Sequence, residues 1–318
     1  LNFPARALAL PGLLTLGLIA PVSPAAAGQP QTKVQEPGYS VKVFPQCGQA
    51  GVARRALRTL DFRPFARSLA CGPEEIWGRA VYLGMENDAD PSGDIEAFDP
   101  FTLESRIFVA ADPESVASSL AFSPRGSVFG NLLAASRAYF VPPPLRIYFV
   151  SSYDPEGALG VGASAPHPVF SVAFDPTGAF GGALYLSTAQ GVQRFDPGGD
   201  LSPFAPVAGG TLRFGPGGDW GSDLYISGAG GARISPGGAV ALFPGGFAEF
   251  DWGAGPGFGG DMFSTCDAGH GELCRIHPDG SRSVWATGVT GPFAFCGDDL
   301  WTYSSSGCER ITFGSRRD

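Results

Sequence analysis

Between Gly210 and Gly246 the chain reads GTLRFGPGGDWGSDLYISGAGGARISPGGAVALFPGG, four short apolar runs parted by clusters of Gly, Pro and Asp. Glycine supplies positive φ and proline presets a turn, so the pattern predicts four antiparallel strands joined by tight turns. A single sheet of this size cannot bury both of its faces and needs copies of itself alongside. Copies are present. An aromatic-Gly pair followed by a strand recurs as Trp77-Gly78…Tyr82, Phe129-Gly130…Leu133, Phe180-Gly181…Tyr185, Trp220-Gly221…Tyr225 and Phe258-Gly259…Phe263, with a degraded sixth copy at Leu300-Trp301. Intervals of about 40–50 residues with four strands each are blade periods, so six copies predict a six-bladed all-β propeller.

Upstream of each pair lies an innermost strand, best seen in LAFSP (120–124), VAFDP (172–176) and LRFGP (212–216). Downstream come two outer strands, joined by Asp196-Pro-Gly-Gly, Ser235-Pro-Gly-Gly and His277-Pro-Asp-Gly at the hairpin position. Residues 138–168 depart from the repeat and read as an inserted loop. The last copy stops one strand short at 311–313, while Ser40–Phe44 resembles the missing strand. Stitching it onto the last blade would leave no free sheet edge. The domain is expected to span 38–318, preceded by a polar linker at 28–37.

At the N-terminus Arg6, an apolar stretch at 7–19 and Ala25-Ala26-Ala27 describe a secretory signal over 1–27. Six cysteines without a C-x-x-C then favour disulfides. Cys266 and Cys274 face each other across one hairpin. Cys47 would follow the closing strand and meet Cys308, which leaves Cys71 with Cys296. Pairing Cys47 with Cys71 and Cys296 with Cys308 is the alternative. Net charge is −9 and the only lysines are Lys33 and Lys42. Nucleic acid, which requires clustered cations, is not expected as a partner. No later run reaches transmembrane length, and the expected state is a secreted monomer.

Asp88-Ala-Asp90-Pro-Ser92-Gly93-Asp94-Ile95-Glu96-Ala-Phe-Asp99 places oxygens at alternate positions with a glycine at the sixth, as in a calcium loop. The candidate ligands are Asp88, Asp90, Ser92, Asp94, Glu96 and Asp99. At a hairpin tip off the axis, such an ion would be structural. The candidates for the channel are Asp61, Asp175, Arg213, Glu249 and Asp251. Arg213 and Glu249 read as equivalent positions in neighbouring blades and are expected to form an ion pair between them. His167, His270 and His277 lie in or beside turns and supply no recognisable base or zinc set.

The F-x-P-x-G-x-[FW]-G-x-x-L-[YF] strings and R-[FI]-x-P-x-G turns over about 40–313 resemble the secreted six-bladed propellers of the NHL, SMP-30/gluconolactonase and TolB-like superfamily. The resemblance concerns architecture. Two functions are carried forward: a non-catalytic exported propeller that binds a protein, glycan or small ligand on a loop face, and a calcium-dependent lactonase or esterase with substrate at the channel mouth. The resemblance implies for the second a calcium held by scattered acidic and amide side chains. Mass spectrometry of the exported protein should find a chain starting at Gly28; retention of the apolar stretch would refute the signal.

Overall fold

In the computed structural model the described residues are 32–48, 64–87, 93–110, 115–140, 146–228, 230–267, 271–304 and 306–314. Six antiparallel sheets stand in a ring, with almost no helix. Blade one comprises β3 (Pro64–Cys71), β4 (Val81–Asn87), β5 (Ile95–Asp99) and β6 (Glu104–Val109), with one helical turn α1 (Glu74–Trp77). Blade two is β7 (Ser115–Phe122), β8 (Leu133–Phe140), β9 (Arg146–Tyr153) and β10 (Leu159–Ala165). Blade three is β11 (Val169–Phe174), β12 (Leu184–Thr188), β13 (Gly191–Phe195) and β14 (Leu201–Ala205). Blade four has the shortest strands: β15 (Leu212–Phe214), β16 (Leu224–Ile226), β17 (Ala232–Ile234) and β18 (Val240–Leu242). Blade five contains β19 (Phe250–Trp252), β20 (Met262–Asp267), β21 (Glu272–Ile276) and β22 (Arg282–Thr287). Blade six contains β23 (Phe293–Cys296), β24 (Asp299–Ser304) and β25 (Gly307–Phe313).

The N-terminal segment finishes the last two blades. β2 (Tyr39–Phe44) pairs along β25 from Tyr39↔Phe313 to Phe44↔Cys308, so the expected closing strand is present and begins one residue earlier than read. The stretch expected to be a linker is not purely a linker. Within it β1 (Lys33–Val34) adds a fifth strand to blade five, opposite Thr287 and Ala286. Two residues are too short for periodicity to mark as a strand; the edge of β22 supplies the pattern. Glu36 then reaches Arg275 at 3.1 Å, and the Tyr39 ring meets Trp285 edge-on at 5.1 Å. One segment thus clasps two blades.

The core is a series of inter-blade layers rather than one central mass. Between blades the aromatic of each inner loop meets the aromatic that ends the next inner strand: Trp77–Phe122 at 4.8 Å, Phe129–Phe174 at 5.3 Å, Phe180–Phe214 at 5.0 Å, Trp220–Trp252 at 4.7 Å and Phe258–Phe295 at 4.8 Å. Such pairs add about 0.5–1.5 kcal/mol each beyond area burial. Within the blades, the second strands align at Val81, Leu133, Leu184, Leu224, Met262 and Leu300, the last being one residue inside its strand. The blade-two counterpart of Tyr82 is therefore Ala134, not Leu133. The long β7–β10 strands also show that 138–168 is mostly sheet rather than an inserted loop: only 141–145 lies outside the described residues there.

Three disulfides join Cys47–Cys308, Cys71–Cys296 and Cys266–Cys274, with Cα–Cα distances of 5.5, 5.5 and 5.6 Å. The first two tie the N-terminal part of the ring to its C-terminal blade. Removing residues through Phe44 should strip β25 of its partner and expose an unpaired edge. Size-exclusion chromatography should then show aggregates; a monodisperse monomer would mean that closure does not depend on β2.

Candidate functional site at the channel mouth

The six inner strands line the axis, and a side chain staples each to the next. Ser68 Oγ donates to the Ala117 carbonyl at 3.4 Å, the Val172 amide donates to Ser119 Oγ at 3.2 Å, and the Leu212 amide donates to Ser171 Oγ at 3.0 Å. Arg213 Nε lies 3.4 Å from Asp251 Oδ1, and the Phe295 amide donates to Asp251 Oδ2 at 2.9 Å. The Cys71–Cys296 disulfide joins the sixth blade to the first. All six junctions are bridged.

This belt corrects the expected ion pair. Strand register aligns Arg213, opposite Tyr225, with Asp251, opposite Phe263. The equivalent of Arg213 is Asp251, two residues beyond Glu249, and it is Asp251 that makes the close contact. Aligning on Phe250 and Phe214, without the register, shifts the comparison. Arg213 still acts on Glu249 electrostatically, drawing its pKa down while Asp251 pushes it up.

Above the belt, a polar cup of about 200 Å³ opens at the end of the channel where the inner strands begin. Glu249, Arg213, Ser118, Thr211 and the half-exposed ring of Phe170 face it. A second cavity of about 280 Å³ lies below, and Leu69, Leu120 and Arg213 border both. The Glu249 side chain is exposed to the lumen, with the walls of the channel crowded around it. Burial raises its pKa to about 7, against the opposing pull of Arg213.

Asp175 belongs elsewhere. Its carboxylate accepts amides of Thr177 (2.9 Å), Gly178 (3.0 Å), Phe180 (2.8 Å) and Gly182 (2.9 Å) and the Thr177 hydroxyl (3.0 Å). Burial would raise its pKa, but these donors hold it below the usual range. It organises the loop carrying Phe180, away from the cup. Asp61 lies outside the described residues, as do Asp88, Asp90, Ser92 and His270. Asp94 and Glu96 are buried at the near end of β5, and Glu96 accepts from the Ser105 hydroxyl at 3.4 Å. Asp99 is at the far end of that strand, where it accepts the Phe101 and Thr102 amides at 2.8 and 3.3 Å. Five residues of extended strand separate Asp94 from Asp99, about 16 Å, so Asp99 does not join the acidic hairpin. The acid three residues after Glu96 reads as a loop ligand only if strand geometry is ignored. His277 lies on the outside of blade five, with Nδ1 3.1 Å from Asp261. Among the described residues no group of three His, Cys, Asp or Glu is placed to hold a metal ion.

No known family model matches the sequence, and no curated protein matches it. Solved structures give distant likenesses. A chain in the crystal structure of the mitotic checkpoint complex shares 14% identity over 79% of this chain and 78% of that one, with a TM-score of 0.49. Oligogalacturonate lyase in complex with manganese shares 11% identity over 75% of each chain at a TM-score of 0.44. BBS1N in complex with ARL6DN, soaked with lead, shares 12% over 75% and 76% at 0.44. Likenesses at these scores carry no argument about activity, so function has to be read from the residues.

Arg213, Glu249 and Asp251 were legible as channel candidates, whereas Phe170, Ser118 and Thr211 were not, because residues from six separated strands build the cup. The one usable signal was a charge at an inner-strand position where other blades carry alanine, as at Ala121 and Ala173. The raised carboxyl has a thermodynamic consequence. The folded protein binds the Glu249 proton more tightly than the unfolded chain, so its contribution to stability is full below about 4.5 and declines as pH rises through about 7. Glu249→Gln should leave the melting temperature unchanged at pH 4 and raise it at pH 8. Matching pH profiles for variant and wild type would contradict the assignment.

Proposed function

We propose that the protein is an exported, non-catalytic propeller that binds a small hydroxyl-rich ligand, a glycan terminus in particular, in the cup at the channel mouth. The observation that carries this reading is the convergence, at one lumenal opening, of a guanidinium, a carboxyl poised near neutrality, hydroxyls and an open aromatic face. Hydroxyl groups both donate and accept, so a ligand bearing several can satisfy Glu249, Arg213 and Thr211 together. The ring of Phe170 offers its apolar face beside them. Concave sites with a few convergent polar groups are where propellers and barrels take ligands. Export is supported by the three disulfides, which belong to an oxidising environment, and by the signal pattern at 1–27.

The hydrolase reading has one observation in its favour. A carboxyl titrating near 7 is suited to general-base chemistry. Calcium in the cup fits the described residues poorly: Arg213 already neutralises Asp251, and its positive charge opposes a divalent ion beside Glu249. Calcium at the 88–96 hairpin is a separate proposal with a structural role, supported by the spacing of Asp88, Asp90 and Ser92 and by the buried Asp94 and Glu96.

A glycan array probed with the purified protein should show discrete binders, and Phe170→Ala and Glu249→Gln should each weaken them at least tenfold. Turnover of lactones or esters that Glu249→Gln abolishes would replace the binding reading with the hydrolase. Asp90→Ala should lower the melting temperature only when calcium is present; identical melting of the wild type with calcium and with chelator would end the structural-ion proposal.

A further inference from the structure

Five of the six blade junctions share one aromatic pair, a loop ring against a strand ring; the sixth is packed instead by Phe44, Phe98 and Trp301, with Phe44–Trp301 at 5.2 Å and Phe98–Trp301 at 6.5 Å. In blades one to five the loop after the inner strand (72–80, 123–132, 175–183, 215–223, 253–261) carries the ring that packs on the next blade. In blade six that loop is a two-residue turn, Gly297-Asp298, between β23 and β24. On the other side of the junction, Cys71, opposite Val81, stands where Phe122, Phe174, Phe214, Trp252 and Phe295 lie opposite Leu133, Leu184, Leu224, Met262 and Leu300. Both rings of the pair are missing. The Cys71–Cys296 disulfide packs against the buried cluster of Phe44, Phe98 and Trp301, and at the level of the missing loop a cavity of about 600 Å³ opens beside it.

Of the two donors that hold this loop in other blades, the walls of the cavity keep the arginine, while a tryptophan replaces the tyrosine. Trp301 is the blade-six counterpart of Tyr185 and Tyr225, whose hydroxyls donate to the carbonyls of their loop aromatics, Phe180 and Trp220, at 2.8 and 2.7 Å. Arg310, opposite Trp301, is the counterpart of Arg275, which donates from Nη2 to the Phe258 carbonyl at 3.2 Å. In blade six Arg310 is held by Asp299 at 2.8 Å and borders the cavity. The slot has the surroundings of a ring with a carbonyl attached.

Its rim is specialised as well. In blades two to five the turn after the third strand places a glycine at positive φ: Gly157, Gly199, Gly238 and Gly280, at 84°, 92°, 81° and 84°. Each of those amides donates to the residue that opens the turn, as Leu103 does to Asp99 in blade one. Leu103 has φ 61° and is the only non-glycine residue with positive φ among the described residues. A bulky residue there is strained, and such strain gathers at functional sites. The same turn holds Phe101 at the cavity rim, 60% exposed, with the Arg79 guanidinium 4.6 Å from its ring.

We infer that the junction between blades six and one is a binding site for a small uncharged aromatic carbonyl compound, such as an aromatic amide, whose ring takes the place of the absent loop aromatic. The ring stacks among Trp301, Phe295 and Phe101, and the carbonyl accepts from Arg310. Glu74, Asp298 and Asp299 around the slot outnumber Arg79 and Arg310, which disfavours an anionic ligand. This site faces the opposite end of the ring from the cup and does not depend on the function assigned there.

The test is titration of the full-length protein with benzamide, cyclohexanecarboxamide and benzoate, followed by ligand-observed NMR and calorimetry. Benzamide should bind saturably, with the cyclohexane analogue and benzoate at least tenfold weaker. Cys71→Phe combined with Cys296→Ala would supply the missing phenyl and should abolish binding. Because that pair also removes a disulfide, Asp298→Trp serves as a second filled variant with all three bridges intact, and Phe101→Ala should weaken binding severalfold. Absence of saturable benzamide binding, equal binding of either comparison compound, or unchanged affinity in a filled variant that melts cooperatively would overturn the assignment.

Discussion

A ring of blades must meet itself, and every junction has to be held by the same kind of contact or by a substitute for it. Here the repeated contact is an aromatic ring from one inner loop laid against the aromatic that ends the next inner strand. Around the lumen a second belt of serine, arginine and aspartate contacts ties the inner strands to each other. Neither set is strong pair by pair. Repetition makes them decisive, because losing one junction leaves two greasy blade faces exposed to water.

The junction between blade six and blade one is built differently. The repeated ring pair gives way to a disulfide and to a different aromatic cluster, Phe44, Phe98 and Trp301, and the junction's outer edge is completed by a strand from the far end of the chain. A covalent link here constrains the unfolded chain over a sequence separation of 225 residues, which is where a cross-link restricts the most conformations. A cavity of about 600 Å³, open to solvent, lies beside the disulfide and is rimmed by the turn that holds Leu103 at positive φ.

Chemistry at the two ends of the ring separates accordingly. At one end the lumenal cup gathers hydroxyls, a guanidinium and a carboxyl raised by burial. At the other, the seam offers aromatic walls and a hydrogen-bond donor. Asp251 illustrates how structure and site share residues: it bridges blade four to blade six while screening Arg213 from the lumen's other carboxyl. That shared duty argues against its serving as a free metal ligand.

Much of this was legible from residues alone. The aromatic-Gly strings and Pro-Gly turns announce strand, loop and blade count, because each blade meets the same packing problem and solves it with the same residue types. The closing strand and the Cys266–Cys274 pair follow from those, since antiparallel partners must lie side by side, while the structure decides between the two pairings of the other four cysteines. What the residues left open was everything that depends on distance across the ring. The short strand at Lys33–Val34 forms only because β22 presents an edge, Arg213 meets Asp251 rather than Glu249 because pairing register sets which positions are level, and Asp99 is carried away from its hairpin by the rise of β5. Local sequence dictates a blade because its contacts are near in the chain. Only closure of the ring decides which side chains meet over the axis and which junction is left with a gap, because those neighbours come from strands far apart in the chain.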